Sequence, residues 1–148
     1  MTMAPRKVDQ TILHGDPKRP GNCYAACVAT VLGVPLAEVP HIVELGMQLN
    51  GPDDKVAWWA LTVGFMAARG YWPVQLDSLA DAEPGELVLV GGPGPRGVGH
   101  QTVYRDGELW HDPHPSRAGL VSIDTDDLIV WRTVGDFDHQ PTAVGDAS

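Results

Sequence analysis

Cysteine and basic residues are both scarce in this sequence. Only two of the 148 residues are cysteine, Cys23 and Cys27, and 10 Lys and Arg stand against 19 Asp and Glu. Two cysteines cannot form a disulfide scaffold in a chain of this length, and a lone CxxxC pair lacks the second pair of ligands typical of structural zinc. The net charge of −9 disfavours proteins that bind nucleic acid or anionic lipid. We therefore expect no nucleic-acid partner, and a role in packing or reactivity for the cysteines.

Long apolar runs are also missing. The N-terminal stretch MTMAPRKVDQTILHG has no apolar run of signal-peptide length, and no segment reaches the length of a membrane span, about 18 apolar residues. We expect a cytoplasmic protein without a membrane partner. The chain length favours one domain, which we place at residues 1–134, followed by a flexible tail at 135–148. The oligomeric state is left open.

Helix signals fill the first half of the chain. The run NCYAACVATVLG has Asn22 at an N-cap position and Gly33 just past its end, which predicts a buried helix of about three turns. Pro35 favours another helix start, but Pro40 limits that segment to short pieces.

A longer helix is expected from Asp53 or Asp54 to Arg69, and we assign its large side chains to the core rather than to a cofactor site. The runs YWPVQL, ELVLVGG, HQTVYRDGELWHD, GLVSI and LIVWRTV then predict strands. We therefore expect an α+β fold in which N-terminal helices pack on a mainly antiparallel sheet of about five strands.

Cys23 is predicted to lie in the first turn of a helix. Unpaired N–H groups and the helix dipole at that end favour the thiolate, which is the nucleophilic form of cysteine. Cys27 follows one turn later among Ala and Val and is expected to be a small core residue. Taken alone, Cys23 is equally compatible with a core position, so its reactivity depends on partners.

His100 is a candidate partner because it begins a strand that enters a hairpin at Asp106 and Gly107. If the turn is type I with a bulge at Gly107, His100 lies directly opposite Asp112, whose carboxylate then orients the imidazole. If the turn is instead a two-residue type I′, Asp112 points to the opposite face of the sheet. The predicted pairing therefore depends on the turn type.

Two other patterns are weaker candidates for a site. His111, Asp112 and His114 lie within four residues, but Pro113 interrupts them and no second pair of ligands follows, so we expect no metal. The run GGPGPRG lacks the Lys and the helix of a phosphate-binding loop, and is expected to be a flexible rim. We therefore predict no cofactor.

Gln10 precedes Cys23 in the chain, and its amide is a candidate hydrogen-bond donor to an oxyanion, together with the N–H of Cys23. Taken together, Gln10, the segment GNCYAAC, Gly99-His100 and HDPHP resemble the ordered Gln, Cys, His and Asp of papain-like cysteine peptidases. The resemblance extends to the compact bacterial and phage branch with the double-glycine leader peptidases and NlpC-like enzymes, and it spans about residues 8–134.

The resemblance implies a papain-like fold and a role for each candidate residue. Cys23 would be the nucleophile, His100 the general base and then acid, Asp112 the residue that orients His100, and Gln10 the oxyanion donor. The implied function is a cysteine hydrolase, a peptidase or amidase, acting on a peptide or protein substrate. The alternatives are an acyltransferase or transglutaminase-like enzyme of the same fold and a papain-like protein that binds a partner without catalysis.

Overall fold

The computed structural model describes residues 6–14, 20–50 and 55–133. Within them, three α-helices precede an antiparallel sheet of five strands, which confirms the α+β class. The expected tail at 135–148 lies outside the described residues. The helices are α1 (Cys23–Leu32), α2 (Ile42–Asn50) and α3 (Lys55–Ala67), and the strands are β1 (Tyr71–Gln75), β2 (Leu87–Pro93), β3 (Gly99–Arg105), β4 (Glu108–His111) and β5 (Leu128–Thr133).

Helix α1 has the bounds that its flanking residues predict. Gly33 ends it in the left-handed conformation, with φ of 72°, and the Gly33 N–H donates to the carbonyls of Ala29 and Thr30. The side chains of α1 are small and mostly buried, which lets the helix lie close to β2 and β3 in the middle of the sheet.

Pro40 divides the segment after α1 as expected. A short 3₁₀ helix, Leu36–Glu38, precedes it and α2 follows. None of the described helices is by itself long and apolar enough to cross a membrane. Among the described segments, α1 and Leu36–Leu49 taken as a pair have the length and composition, and the pair is bent by 101°.

Helix α3 is slightly shorter than expected at its C-terminus. It ends at Ala67, because the N–H groups of Arg69 and Gly70 bond to carbonyls three residues back and tighten the last turn. The expected start at Asp53 or Asp54 lies outside the described residues.

The large side chains of α3 contribute to the core, with one exception. Met66 is completely buried, and Trp58 and Phe65 pack against the main apolar cluster. Trp59 is 40% exposed, although its ring lies next to that of Trp131, tilted by 38° with centroids 5.7 Å apart. The assignment to the core is therefore confirmed for three of these four residues.

The sheet has the strand order β1-β5-β2-β3-β4, and both of its faces are covered. One face packs against the helices and the other against loops, because side chains alternate along each strand. The helix side is built from Leu87, Leu89, Val103, Ile129 and Trp131, and the loop side from Val88, Val90, Leu128 and Val130.

The run GLVSI, residues 119–123, does not form the expected strand. Leu120 and Ile123 pack on the loop side of the sheet, which accounts for the apolar pattern. The backbone bonds of this segment go singly to the end of β2, from the Val121 N–H to the carbonyl of Pro93 and from the Asp124 N–H to the carbonyl of Gly91. The alternation of apolar and polar residues in this segment therefore reflects the burial of its apolar side chains. It does not indicate a strand paired to a neighbour by regular backbone hydrogen bonds.

The close approach of residues 119–124 to β2 predicts the effect of a substitution at Gly92. A Cβ at Gly92 would lie 2.2 Å from the carbonyl oxygen of Ser122, whereas a Cβ at Gly99 on the neighbouring strand has open space. We expect Gly92→Ala to lower the free energy of unfolding by about 1–3 kcal/mol. The control Gly99→Ala should change it by at most about 0.5 kcal/mol. Urea denaturation measures both, and equal effects would contradict the packing argument.

Candidate active site

The two cysteines lie one turn apart on α1 in different environments. Cys23 is the first residue of the helix and is partly exposed, whereas Cys27 is completely buried. Burial raises the pKa of the Cys27 thiol well above its usual value, and the negative charges of Cys23 and Asp112 raise it further. Cys27 is therefore held as a neutral thiol, and Cys23 is the cysteine within reach of reagents.

Asn22 stands at the N-cap position of α1, but its side chain does not cap the helix. Its Oδ1 accepts hydrogen bonds from the backbone N–H groups of Thr11 and Ile12 at 3.0 and 2.8 Å, and its Nδ2 donates to Thr11 Oγ1 at 3.1 Å. Asn22 therefore occupies the predicted N-cap position but makes no capping hydrogen bond with its side chain. The Asn22 side chain instead holds the segment around Thr11 next to the start of α1. It therefore does not occupy the N–H groups of the first helical turn, which can bind other partners.

His100 and Asp112 form a buried pair. Nε2 of His100 lies 2.6 Å from Oδ1 of Asp112, and the side chains are 3% and 0% exposed. Burial lowers the pKa of His100, but hydrogen bonds with Asp112 and Cys23, together with their negative charges, raise it to about 9. The imidazole thus interacts with both the thiol and the carboxylate, and it is protonated at neutral pH.

The hairpin between β3 and β4 has a two-residue turn rather than the bulged three-residue turn on which the pairing was expected to depend. Arg105 pairs with Glu108 across the turn. Asp106 and Gly107 both have positive φ, 52° and 81°, as a type I′ turn requires. With this turn alone, Asp112 would lie on the wrong face of the sheet.

A bulge in β4 places Asp112 on the same face of the sheet as His100. The pairing register shifts by one residue between Val103 and Tyr104, and Trp110 is the extra residue on β4. One extra residue moves every later side chain of a strand to the other face. Asp112 therefore reaches the same face as His100 by a bulge within the strand, not by the turn.

The Asp112 carboxylate has two further donors besides His100. Its Oδ1 accepts from the backbone N–H of His114 at 2.9 Å, and its Oδ2 accepts from the N–H of Gly119 at 2.7 Å. Burial raises the pKa of Asp112, but these three hydrogen bonds hold it at about 2. Sequence reasoning missed the two backbone donors, although Gly119, with φ of 75°, is the type of residue such a turn requires.

Gln10 lies close to Gly21, just before the helix that begins with Cys23. Its side chain is buried, and Nε2 donates to the carbonyl of Ile12 at 2.9 Å. A Cβ at Gly21, two residues before Cys23, would lie 3.2 Å from that Nε2. The backbone N–H of Gln10 donates to the carbonyl of Pro113 at 3.1 Å, next to Asp112. All four predicted site residues are thus brought into one region.

An ion pair that sequence reasoning missed joins the N-terminal segment to the loop after β4. Arg117 binds both carboxylate oxygens of Asp9 and also donates to the backbone carbonyl of Asp112. The Arg117 side chain holds the pKa of Asp9 below its usual value. The partners are 108 residues apart in the chain, so no local pattern signals the contact.

His111, Asp112 and His114 do not converge on a common point. His111 Nε2 lies 2.9 Å from the carbonyl of Val8, and His114 Nδ1 accepts from the Ser116 N–H at 3.0 Å. Across the described parts of the chain, no group of three or more His, Cys, Asp or Glu is arranged to hold a metal ion.

Comparison of the chain with protein-family models, with curated proteins and with solved structures finds no match.

The His100–Asp112 contact predicts an unusual titration. We expect His100 to titrate near pH 9, because both negatively charged neighbours stabilise the imidazolium. In Asp112→Asn the midpoint should fall toward 6.5, since the charge of the partner is removed. NMR of the His100 ring protons across pH measures this shift. A wild-type midpoint near 6.5 would contradict the arrangement.

The same contact predicts how stability varies with pH. The folded-state pKa of about 9 lies above the ordinary 6.5, so the contribution of His100 is fully present below pH 6.5 and is lost as the pH rises through 9. We expect the free energy of unfolding to fall over this window in the wild type and to fall less in Asp112→Asn. Urea denaturation at several pH values tests this, and parallel profiles for the two proteins would count against it.

Proposed function

We propose that the protein is a papain-like cysteine hydrolase, a peptidase or amidase, that acts through a thioester on Cys23. The proposal is carried by one observation: a single buried imidazole, His100, interacts with a buried carboxylate on one side and with the partly exposed Cys23 on the other. A nucleophile, a proton carrier and an orienting group in contact are the minimum set for acyl transfer by a thiol.

His100 holds its proton before the substrate binds in this proposal. Its pKa of about 9 favours the imidazolium at neutral pH, so a positive charge stands beside the Cys23 sulfur, which attacks as the thiolate in this mechanism. Asp112, ionised because its pKa is about 2, stabilises the imidazolium and holds its orientation. His100 thus acts as a base in forming the ion pair, and as an acid afterwards.

Acylation begins when the Cys23 sulfur bonds to the carbonyl carbon of the substrate and the π electrons move to the carbonyl oxygen. The N–H of Cys23 and the Nε2 of Gln10 are the candidate donors to this oxyanion. One hydrogen of Nε2 is bonded to the carbonyl of Ile12, so the other is the one assigned here. Collapse of the intermediate breaks the C–N bond, His100 gives its proton to the departing amine, and a thioester remains.

Deacylation reverses the proton transfers. Neutral His100 takes a proton from a water molecule as the water oxygen bonds to the thioester carbon. The second tetrahedral intermediate then expels the Cys23 thiolate. The acid product leaves, and the thiolate and imidazolium are restored for the next turnover.

Selective alkylation is the first test of this proposal. We expect iodoacetamide near pH 6 to modify Cys23 and leave Cys27 unmodified, because Cys23 is reachable and paired with an imidazolium while Cys27 is buried and neutral. Intact-mass spectrometry should show the adduct in wild type and in Cys27→Ala, and its absence in Cys23→Ala. His100→Ala should slow the reaction. Labelling of Cys27 in preference to Cys23 would overturn the assignment.

Turnover of an activated p-nitrophenyl ester tests the separate roles. Cys23→Ala should abolish turnover, because no other group at the site forms the thioester. Asp112→Asn should lower the rate roughly a hundredfold while the protein stays folded, because the ring loses its stabilising charge. Nitrophenol release and the mass of the trapped acyl-enzyme measure both effects.

Gln10→Ala should leave a slow enzyme that is still alkylated at Cys23. Loss of one oxyanion donor costs about 3 kcal/mol, or roughly a hundredfold in rate. If Gln10→Ala matched the wild type while Cys23→Ala was inactive, the oxyanion would be bound by backbone groups alone, and the role of Gln10 would be rejected.

A further inference from the structure

One cation at the rim of the site has no ionic partner among the described residues. Arg96 lies in the loop between β2 and β3, is exposed, and donates from Nη1 to Ser116 Oγ at 3.2 Å. No carboxylate in the described parts of the chain lies within ion-pair distance of its guanidinium. Arg117, the other arginine on this rim, is already bound to both oxygens of Asp9.

The backbone geometry places Arg96 close to the candidate catalytic histidine. A Cβ at Gly94 would lie 3.1 Å from His100 Cβ and 3.8 Å from Arg96 Nη2, so those two atoms are at most about 7 Å apart. The loop that carries Arg96 is closed by hydrogen bonds from the Gly94 N–H to the Val98 carbonyl, at 2.8 Å, and from the Gly97 N–H to the Gly94 carbonyl, at 3.2 Å. Arg96 is therefore held at the site by a bonded turn.

Neighbouring groups respond to this charge. The ring of His114 meets that of His100 edge to face, with centroids 6.1 Å apart. Burial and then the positive charge of Arg96 lower the pKa of His114. Ser116 connects the two, because its N–H donates to His114 Nδ1 and its hydroxyl accepts from Arg96. The guanidinium thus acts electrostatically at the edge of the histidine pair.

We propose that Arg96 is a specificity-determining residue that receives a carboxylate of the substrate, either an acidic side chain or a terminal carboxylate close to the scissile bond. The inference rests on the proposed function, since it names a substrate class for the same site. A guanidinium stays charged at all relevant pH values and binds a carboxylate with two parallel hydrogen bonds.

Because the whole chain is negatively charged, binding of a substrate carboxylate requires a positively charged group close to the site. The net charge of −9 repels anions at long range. Preference for a carboxylate must then come from cations at the site itself, where the guanidinium of Arg96 supplements the His100 imidazolium.

Alkylation of Cys23 by a charged and a neutral reagent tests this inference without a known substrate. Iodoacetate and iodoacetamide both transfer a carbon to the thiolate and release iodide, and they differ in the carboxylate. We expect Arg96→Gln to lower the ratio of their rate constants at Cys23 roughly three- to tenfold at low salt. The matched control is Arg69→Gln, which removes the same charge from the end of α3, next to the opposite edge of the sheet.

Two further variants separate the effect of the Arg96 charge from the effect of its hydrogen bond to Ser116. Arg96→Lys should keep most of the preference for iodoacetate, because the charge remains. Ser116→Ala should keep it as well, because it removes the hydrogen bond to Arg96 but not the charge. Raising the salt to about 1 M, where the screening length is about 3 Å, should reduce the wild-type ratio toward that of Arg96→Gln.

The outcomes distinguish this inference from the proposed function. An unchanged ratio in Arg96→Gln, or an equal loss in Ser116→Ala or Arg69→Gln, would overturn the specificity role while Cys23 remained reactive. If Cys23 reacted with both reagents no faster than a free cysteine, and His100→Ala changed neither rate, the proposed function itself would fail.

Discussion

A buried carboxylate needs hydrogen-bond donors in place of the water molecules that it loses on folding. The chain around Asp112 is arranged to supply such donors. Three donors converge on it: the His100 ring, the N–H of His114 and the N–H of Gly119. To supply them, the chain after β4 has to turn back on itself, and Gly119 takes a left-handed conformation to do so. The orientation of His100 is a consequence of the same set of bonds. The Asp112 carboxylate therefore fixes both the conformation of the loop after β4 and the orientation of His100.

The loop that encloses Asp112 also positions the N-terminal segment. Arg117 bridges from the carbonyl of Asp112 to the side chain of Asp9, and the carbonyl of Pro113 accepts the N–H of Gln10. From the other side, Asn22 binds the backbone just after Gln10. The segment is thus held between the start of α1 and the loop after β4. The N-terminal segment, the start of α1 and the loop after β4 are distant in sequence. They come together near Cys23 because the N-terminal segment is hydrogen-bonded to the other two.

The parts of this arrangement that could be predicted from sequence are those with local signals. Gly33 ends α1 where its backbone freedom is needed, and strand spacing located the hairpin that carries His100. The turn type was not predictable, because Asp106-Gly107 suits both turns that the sequence allowed, and the bulge at Trp110 compensates for the one that forms. The salt bridge between Arg117 and Asp9 was also missed, because contacts over 108 residues depend on the assembled fold. The prediction of the His100–Asp112 contact thus rested on a turn that the structure does not contain.

A buried ion pair is a weak source of stability, and this bears on what His100 and Asp112 are for. Removing two charges from water costs several kcal/mol per ion, and an apolar pair of the same volume is often as stable or more so. The sheet and helices already enclose an apolar cluster, so packing does not require these charges. Cys27 provides an internal comparison: on the same helix as Cys23, it is a completely buried, neutral thiol. Cys23 differs in being partly exposed and in interacting with the His100 ring, an arrangement that stability does not require and that the proposed acyl transfer would use.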